Sequence, residues 1–225
     1  MDFEKTVAVV TGANRGLGRE FARQLAERGA KVYAAVRRPE SVQDPGVIPV
    51  RFDLTDKASI EHAATIAADA TLLVNNAGVS TGTSLLDGDF DNIRLEMETH
   101  YFGTLATARA FAPVIERNGG GAMLNVHSIL SWLHAPALGA YSAAKAAGWA
   151  MSNALRQELS PKGIQVTALY VAYMDTDMAA RVAPEDKIDP AGVAGASLDG
   201  VAAGVAEVLG DELTRQVKGS LGAAI

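Results

Sequence analysis

Cysteine is absent from the 225 residues. That excludes disulfides and thiolate metal sites, and it fits a reducing compartment. Basic residues are in deficit, 20 Lys and Arg against 26 Asp and Glu, for a formal charge of −6. A nucleic-acid surface normally needs a basic stripe, so no nucleic-acid partner is expected. No apolar stretch approaches bilayer-spanning length. The first apolar run, Val7 to Val10, is too short for a signal peptide and follows acidic residues rather than a basic segment. The expectation is a soluble cytoplasmic protein without membrane contact. Hydrophobic residues, at 48%, supply material for a sizeable core. The length suits one domain, residues 1–225, better than two.

Short β-branched runs alternate with Ala-rich helical stretches. Strands are expected at 6–11, 31–36, 47–52, 70–74, 122–127 and 164–170. Helices are expected at 16–29, 56–69, about 88–117 and 139–160, with Gly29 and the glycines 119–121 as stops. The tail is less regular: a helix to about Gly204, a short strand at 207–209 and a closing helix at 212–221. No repeat or linker interrupts the pattern. Strand–helix alternation predicts an α/β fold, a doubly wound, mostly parallel Rossmann-type sheet with helices on both faces. Ligands in such folds sit at the carboxyl edge of the strands.

Two patterns carry chemistry. Gly12, Gly16 and Gly18 form G-x-x-x-G-x-G between the first strand and the first helix. Glycine permits the tight turn, and the free N–H groups at the helix start meet negative charge, so a pyrophosphate is the expected occupant. The second strand ends Val36-Arg37-Arg38, with no carboxylate to bind a ribose 2′-hydroxyl. Arg37 and Arg15 can instead grip a 2′-phosphate, which favours NADP(H) over NAD(H). Asp53 can accept a hydrogen bond from an adenine amino group, and Asn75-Asn76-Ala77-Gly78 closes the fourth strand as a turn. The second pattern is Tyr141 and Lys145, four residues apart on a predicted helix, where phenol and ammonium share one face.

With Thr11–Gly18, Asn75–Gly78, Ser128 and Tyr141-x-x-x-Lys145 in order, the chain resembles the short-chain dehydrogenase/reductase family over roughly residues 5–180. The resemblance implies a sheet of about seven strands, NAD(P)-dependent interconversion of a small-molecule carbonyl and alcohol, and a homodimer or homotetramer. It also implies that Gly12, Asn14, Arg15, Gly16, Leu17 and Gly18 wrap the pyrophosphate. Asp53 and Leu54 would flank adenine, Asn76 and Ala77 would lie by the ribose with Gly78 closing that turn, and Thr176 would approach the nicotinamide amide. Lys145 would bond the ribose hydroxyls, and Ser128 would donate to the substrate oxygen. Two positions depart from the family pattern. His100 occupies a slot that commonly holds Asn, where an altered proton relay or a structural histidine are the alternatives. Val171-Ala172 replaces Pro-Gly, which leaves the following loop path open.

Tyr141 is the expected general acid. Its pKa would have to fall by roughly 4 kcal/mol of differential interaction, supplied by the Lys145 ammonium and an oxidised nicotinamide. Val79, Leu130, Trp132, Leu133, His134 and Met178 suggest an apolar substrate mouth, with core packing an equal alternative for Trp132, and His127 is expected to be structural. Small residues on helix 139–160 suit close approach of a second helix, internal or from another subunit. A cofactor-binding sensor on the same fold is a competing reading. A lyase of the halohydrin-processing kind ranks last, because those relatives lose the Lys and the glycine-rich turn.

Overall fold

The computed structural model describes residues 1–221. Its centre is one all-parallel seven-stranded sheet: β1 (Val7–Thr11), β2 (Lys31–Val36), β3 (Val47–Arg51), β4 (Leu72–Asn75), β5 (Gly121–Val126), β6 (Ile164–Tyr170) and β7 (Glu207–Leu209). The spatial order is β3-β2-β1-β4-β5-β6-β7. β1 lies between β2 and β4, with Val10 opposite Ala34 on one side and Val74 on the other. The strand order reverses there, and the crossovers leave a crevice above the strand ends. Pro49 is tolerated because β3 is the edge strand.

The inner strands are buried on both faces, so they read as continuous apolar runs. Ala8 and Val10 of β1 turn to one face, under α1 (Gly16–Glu27) and α6 (Pro190–Ala203). Leu17, Phe21 and Leu25 form the stripe by which α1 docks, as their spacing predicts. Val9 turns to the other face, under α2 (Lys57–Ile66), α4 (Thr104–Arg117) and α5 (Gly139–Leu159), where Phe111, Ile115 and Leu155 are buried.

Element boundaries fall within a few residues of the sequence expectation, with one difference. The helix expected over 88–117 consists of α3 (Phe90–Met97), a π-helical turn (Glu98–Gly103) and α4. The wider turn adds a residue to the helical circuit and carries His100 toward the site. The last helix among the described residues is α7 (Glu212–Ser220). Among the described residues no helix is long and apolar enough to cross a membrane.

Candidate functional site

A cleft of about 900 Å³ runs along the carboxyl edge of the strands. At one end lies the glycine-rich turn. Gly12 and Gly16 hold φ of 69° and 51°, values an L side chain rarely adopts. A Cβ on Gly18 would stand 2.2 Å from the Gly12 carbonyl oxygen and 2.4 Å from Asn76 Nδ2. Helices α2, α3, α6 and α7 are each capped by an aspartate side chain, whereas α1 begins at Arg15 with no side-chain cap. The positive end of α1 therefore faces the cleft through Gly16, Leu17 and Gly18, and these residues fit a pyrophosphate.

The turn is braced by Thr11. Its hydroxyl donates to the Val74 carbonyl at 3.2 Å and accepts from the N–H groups of Asn76 (2.9 Å) and Ala77 (3.0 Å). The Asn76 side chain donates to the Thr11 carbonyl at 2.9 Å. One threonine thus clamps β1 to the end of β4 and fixes Asn76, Ala77 and Gly78 along the cleft. Its place at a strand end was visible in the sequence; this bracing role depends on β4 being its neighbour.

Asn14, Arg37, Asp53, Leu54 and Thr176 also line the cleft. Arg37 is exposed at the end of β2. Asp53 Oδ1 is used locally, accepting from the Thr55 N–H and hydroxyl at 3.0 and 2.8 Å. Arg15 does not point into free space: its Nη1 pairs with Asp177 Oδ2 at 2.9 Å, across the cleft mouth.

At the other end Ser128, Tyr141 and Lys145 come together. Ser128 follows β5, and its Oγ accepts from the Leu130 N–H at 3.1 Å. Tyr141 and Lys145 share one face of α5. Lys145 Nζ lies 5.5 Å from the centre of the Tyr141 ring and donates to the Val126 carbonyl at 3.0 Å. His100 meets Tyr141 edge to face, with centroids 5.1 Å apart.

The electrostatics correct one expectation. Burial and the negative charge of Glu96 push the Tyr141 phenol above its ordinary pKa, and a hydrogen bond with Ser128 only partly offsets them. The protein's own groups do not lower it. Burial likewise pulls Lys145 down to about 8, against the field of Glu96, which raises it. Desolvation is the largest cause at both groups, which the sequence reasoning did not weigh.

Val79, Leu130, Leu133 and Met178 line the cleft as expected, joined by Tyr173 and Leu213. Trp132 and His134 do not. Trp132 stacks on Tyr170 with ring centroids 4.1 Å apart, and Lys218 Nζ lies 4.6 Å from the centre of its ring, so it packs between β6 and α7. His127 is buried with its Nε2 2.8 Å from Ser152 Oγ, a structural contact. Gly148 lets α5 approach it: a Cβ there would lie 3.2 Å from the His127 ring. The loop left open by Val171-Ala172 is held by Asp211, whose Oδ2 accepts from the Ala172 N–H at 2.8 Å. Sequence reasoning passed over Glu96, although a Glu four residues before a His on one helix was there to be seen.

Fold and cleft together are those of a Rossmann-type nucleotide-binding domain. A family profile described as short chain dehydrogenase matches residues 6–187. Dehydrogenase/reductase SDR family member 7B of Bos taurus is 32% identical over 199 residues, covering 80% of this chain; the chain spans 61% of that protein's length. An uncharacterized oxidoreductase of Staphylococcus aureus (strain N315) is 31% identical over 205 residues, 85% of this chain and 89% of that protein. Among solved structures, a short chain dehydrogenase from Burkholderia cenocepacia J2315 in complex with NADP has a TM-score of 0.95 at 40% identity, covering 100% of this chain and 95% of that one. The chain belongs to the short-chain dehydrogenase/reductase family.

Proposed function

We propose that the protein is an NADPH-dependent reductase of a hydrophobic ketone or other carbonyl, running in reverse as an alcohol dehydrogenase. The observation that carries this reading is the convergence of Ser128, Tyr141 and Lys145 in the same cleft as the uncapped turn of α1 and Arg37. The bound nicotinamide supplies the hydride. The protein's residues bind, orient and move the proton. Gly12, Asn14, Gly16, Leu17 and Gly18 receive the pyrophosphate, and Asp53, Leu54, Asn76, Ala77, Gly78 and Thr176 line the rest of the cofactor's path. Arg37, joined by Arg15 once it leaves Asp177, takes a 2′-phosphate by its planar fork.

Ser128 donates to the carbonyl oxygen as charge develops there. Tyr141 gives that oxygen its proton. A phenol held above its ordinary pKa stays protonated through the neutral range, which suits an acid. Lys145, anchored on Val126, lies on the Tyr141 side of the cleft and holds the cofactor's ribose. The apolar lining from Val79, Leu130, Leu133 and Met178 favours aryl or cyclic ketones. The exposed outer residues of α5, including Ala143, suit a homodimer or homotetramer, and the charge and lack of cysteine suit the cytoplasm.

A cofactor-binding sensor is the second reading, favoured by His100 in place of the family's Asn. A dehalogenase-type lyase stands last, since Lys145 and the glycine-rich turn are both present. The test is a ketone panel assayed with NADPH and NADH. Tyr141→Phe should abolish NADPH consumption, and Arg37→Ala should weaken NADPH binding about tenfold more than NADH binding. Activity surviving Tyr141→Phe refutes the assignment, and equal losses for both cofactors refute the phosphate clamp.

A further inference from the structure

The proposed reaction does not use Glu96, yet this carboxylate is fully buried, 0% exposed. Its Oε1 accepts from the Thr81 N–H at 2.6 Å and from the Thr81 hydroxyl at 2.9 Å. Burial alone would raise its pKa, but the adjacent His100 ring and the Thr81 hydrogen bonds carry it below the usual carboxylate range, so it is anionic at neutral pH, while its Oε2 accepts no hydrogen bond. Its Oε2 lies 3.3 Å from His100 Nε2.

The same nitrogen lies 2.8 Å from the Val79 carbonyl oxygen. A carbonyl oxygen only accepts, so Nε2 carries the hydrogen, and an anionic oxygen alongside enforces that tautomer. Burial pulls the His100 pKa down, assisted by the Lys145 charge and opposed by Glu96, so the ring is neutral. In a neutral ring with hydrogen on Nε2, Nδ1 is a lone pair. Gly78 makes room for this ring: a Cβ there would stand 2.6 Å from His100 Cε1. The titratable groups around His100 are Glu96 one helical turn before it, Tyr141 and Lys145 from α5, and His127 just after β5.

Behind the site is a second cavity of about 10 Å³, lined among others by Asn75, His100, His127 and Lys145. That is close to the lower limit for one water. Asn75 is buried: its Nδ2 donates to Asn125 Oδ1 at 2.8 Å, and its Oδ1 has no partner. Lys145 spends one hydrogen on Val126 and keeps two. A water placed here would have the Lys145 ammonium as its donor and Asn75 Oδ1 and His100 Nδ1 as its acceptors. Three bonds is the usual number for a buried water.

We propose that Glu96 is a positioning residue: by fixing the His100 tautomer it presents Nδ1 to a single water that, shared with Asn75, holds the Lys145 ammonium beneath Tyr141. Within the reaction this role rests on the reading of Ser128, Tyr141 and Lys145 as the reacting set. The departure at His100 is then part of a three-residue arrangement, in which a carboxylate, an imidazole and a strand-end amide orient one water.

The test is made on the resting protein by ¹⁵N NMR. In the wild type His100 should be the neutral Nε2–H tautomer at pH 7. Glu96→Gln should populate the Nδ1–H form and lower the Lys145 titration midpoint by about half a pH unit or more. Loss of the Glu96 charge by itself would lower the Lys145 midpoint and leave the His100 tautomer unchanged, so the tautomer reading separates positioning from a field effect. An Nδ1–H tautomer in the wild type overturns the proposal, and so does a folded Glu96→Gln protein with either reading unchanged. If Glu96→Gln does not fold, the wild-type tautomer and the Lys145 midpoint in Asn75→Leu, which deletes the second acceptor, decide the matter: the midpoint should fall, and an unchanged one overturns the proposal. None of these readings needs turnover, so a protein that reduces no ketone fails the functional reading while leaving this one to be judged separately.

Discussion

Arg15 Nη1 and Asp177 Oδ2 stand 2.9 Å apart on opposite banks of the cleft, one at the start of α1 and the other on the segment after β6. Both side chains are mostly exposed, so the pair is worth about 0–1 kcal/mol. A 2′-phosphate and Asp177 compete for the same guanidinium. Asp177→Asn should therefore tighten NADPH binding about two- to fivefold with NADH unchanged, measured by calorimetry. A matching change for both cofactors would mean that the pair shapes the loop and has no part in selecting the phosphate.

Lys145 sets a pH limit. Burial brings its pKa to about 8, while Tyr141 is pushed above its ordinary value and keeps its proton. For the reduction, kcat/KM should fall as pH rises through about 8, when the ammonium is lost. A flat profile from pH 7 to 9 would contradict this.

The same shift has a stability consequence. In the unfolded chain lysine titrates near 10.4. Between about 8 and that value the folded state binds fewer protons than the unfolded state, so stability rises with pH across this window. Lys145→Met should be more stable than wild type at pH 7, with the difference shrinking above pH 8. Denaturant melts at pH 7 and pH 9.5 measure it; a gap that widens with pH would reverse the sign.

Gly18 has no room for a side chain. Its Cβ would meet the Gly12 carbonyl oxygen at 2.2 Å, and backbone cannot yield as a flexible side chain does. Gly18→Ala should displace the turn and weaken binding of both cofactors at least about tenfold, a loss of more than 1 kcal/mol. Fluorescence titration with NADPH and NADH reads it, and unimpaired binding would show that the turn has slack.

Asp211 ties three elements. Its Oδ2 accepts from the Ala172 N–H and the Thr214 hydroxyl, and its Oδ1 caps α7 at the Thr214 N–H. It is buried, so Asp211→Ala leaves donors without partners and should cost about 2–3 kcal/mol of stability. A denaturant midpoint within error of wild type would refute that role.

Much of the fold was legible because its signals are local. Val7–Thr11 and Lys31–Val36 are short β-branched runs between helices, and that alternation implies parallel crossovers. Tyr141 and Lys145 four apart on α5 needed only helical geometry. The π turn at Glu98–Gly103 was not legible, since a one-residue widening leaves apolar periodicity nearly intact. Trp132 looked like a cleft residue by proximity to Ser128; its stacking partner Tyr170 arrives from a strand far along the chain.

Residue order alone determined the strand–helix alternation that implies a parallel sheet, the place of the glycine-rich turn and the shared face of Tyr141 and Lys145, because each is signalled by a pattern local in sequence. Tertiary structure alone decided the charge balance of the site. Whether a phenol is pushed up or down depends on how much water the packed chain removes and on which distant carboxylate is brought near. Burial contributes most at Tyr141 and Lys145, and Glu96, tied to Thr81 beneath the cleft, is the distant carboxylate that acts on both.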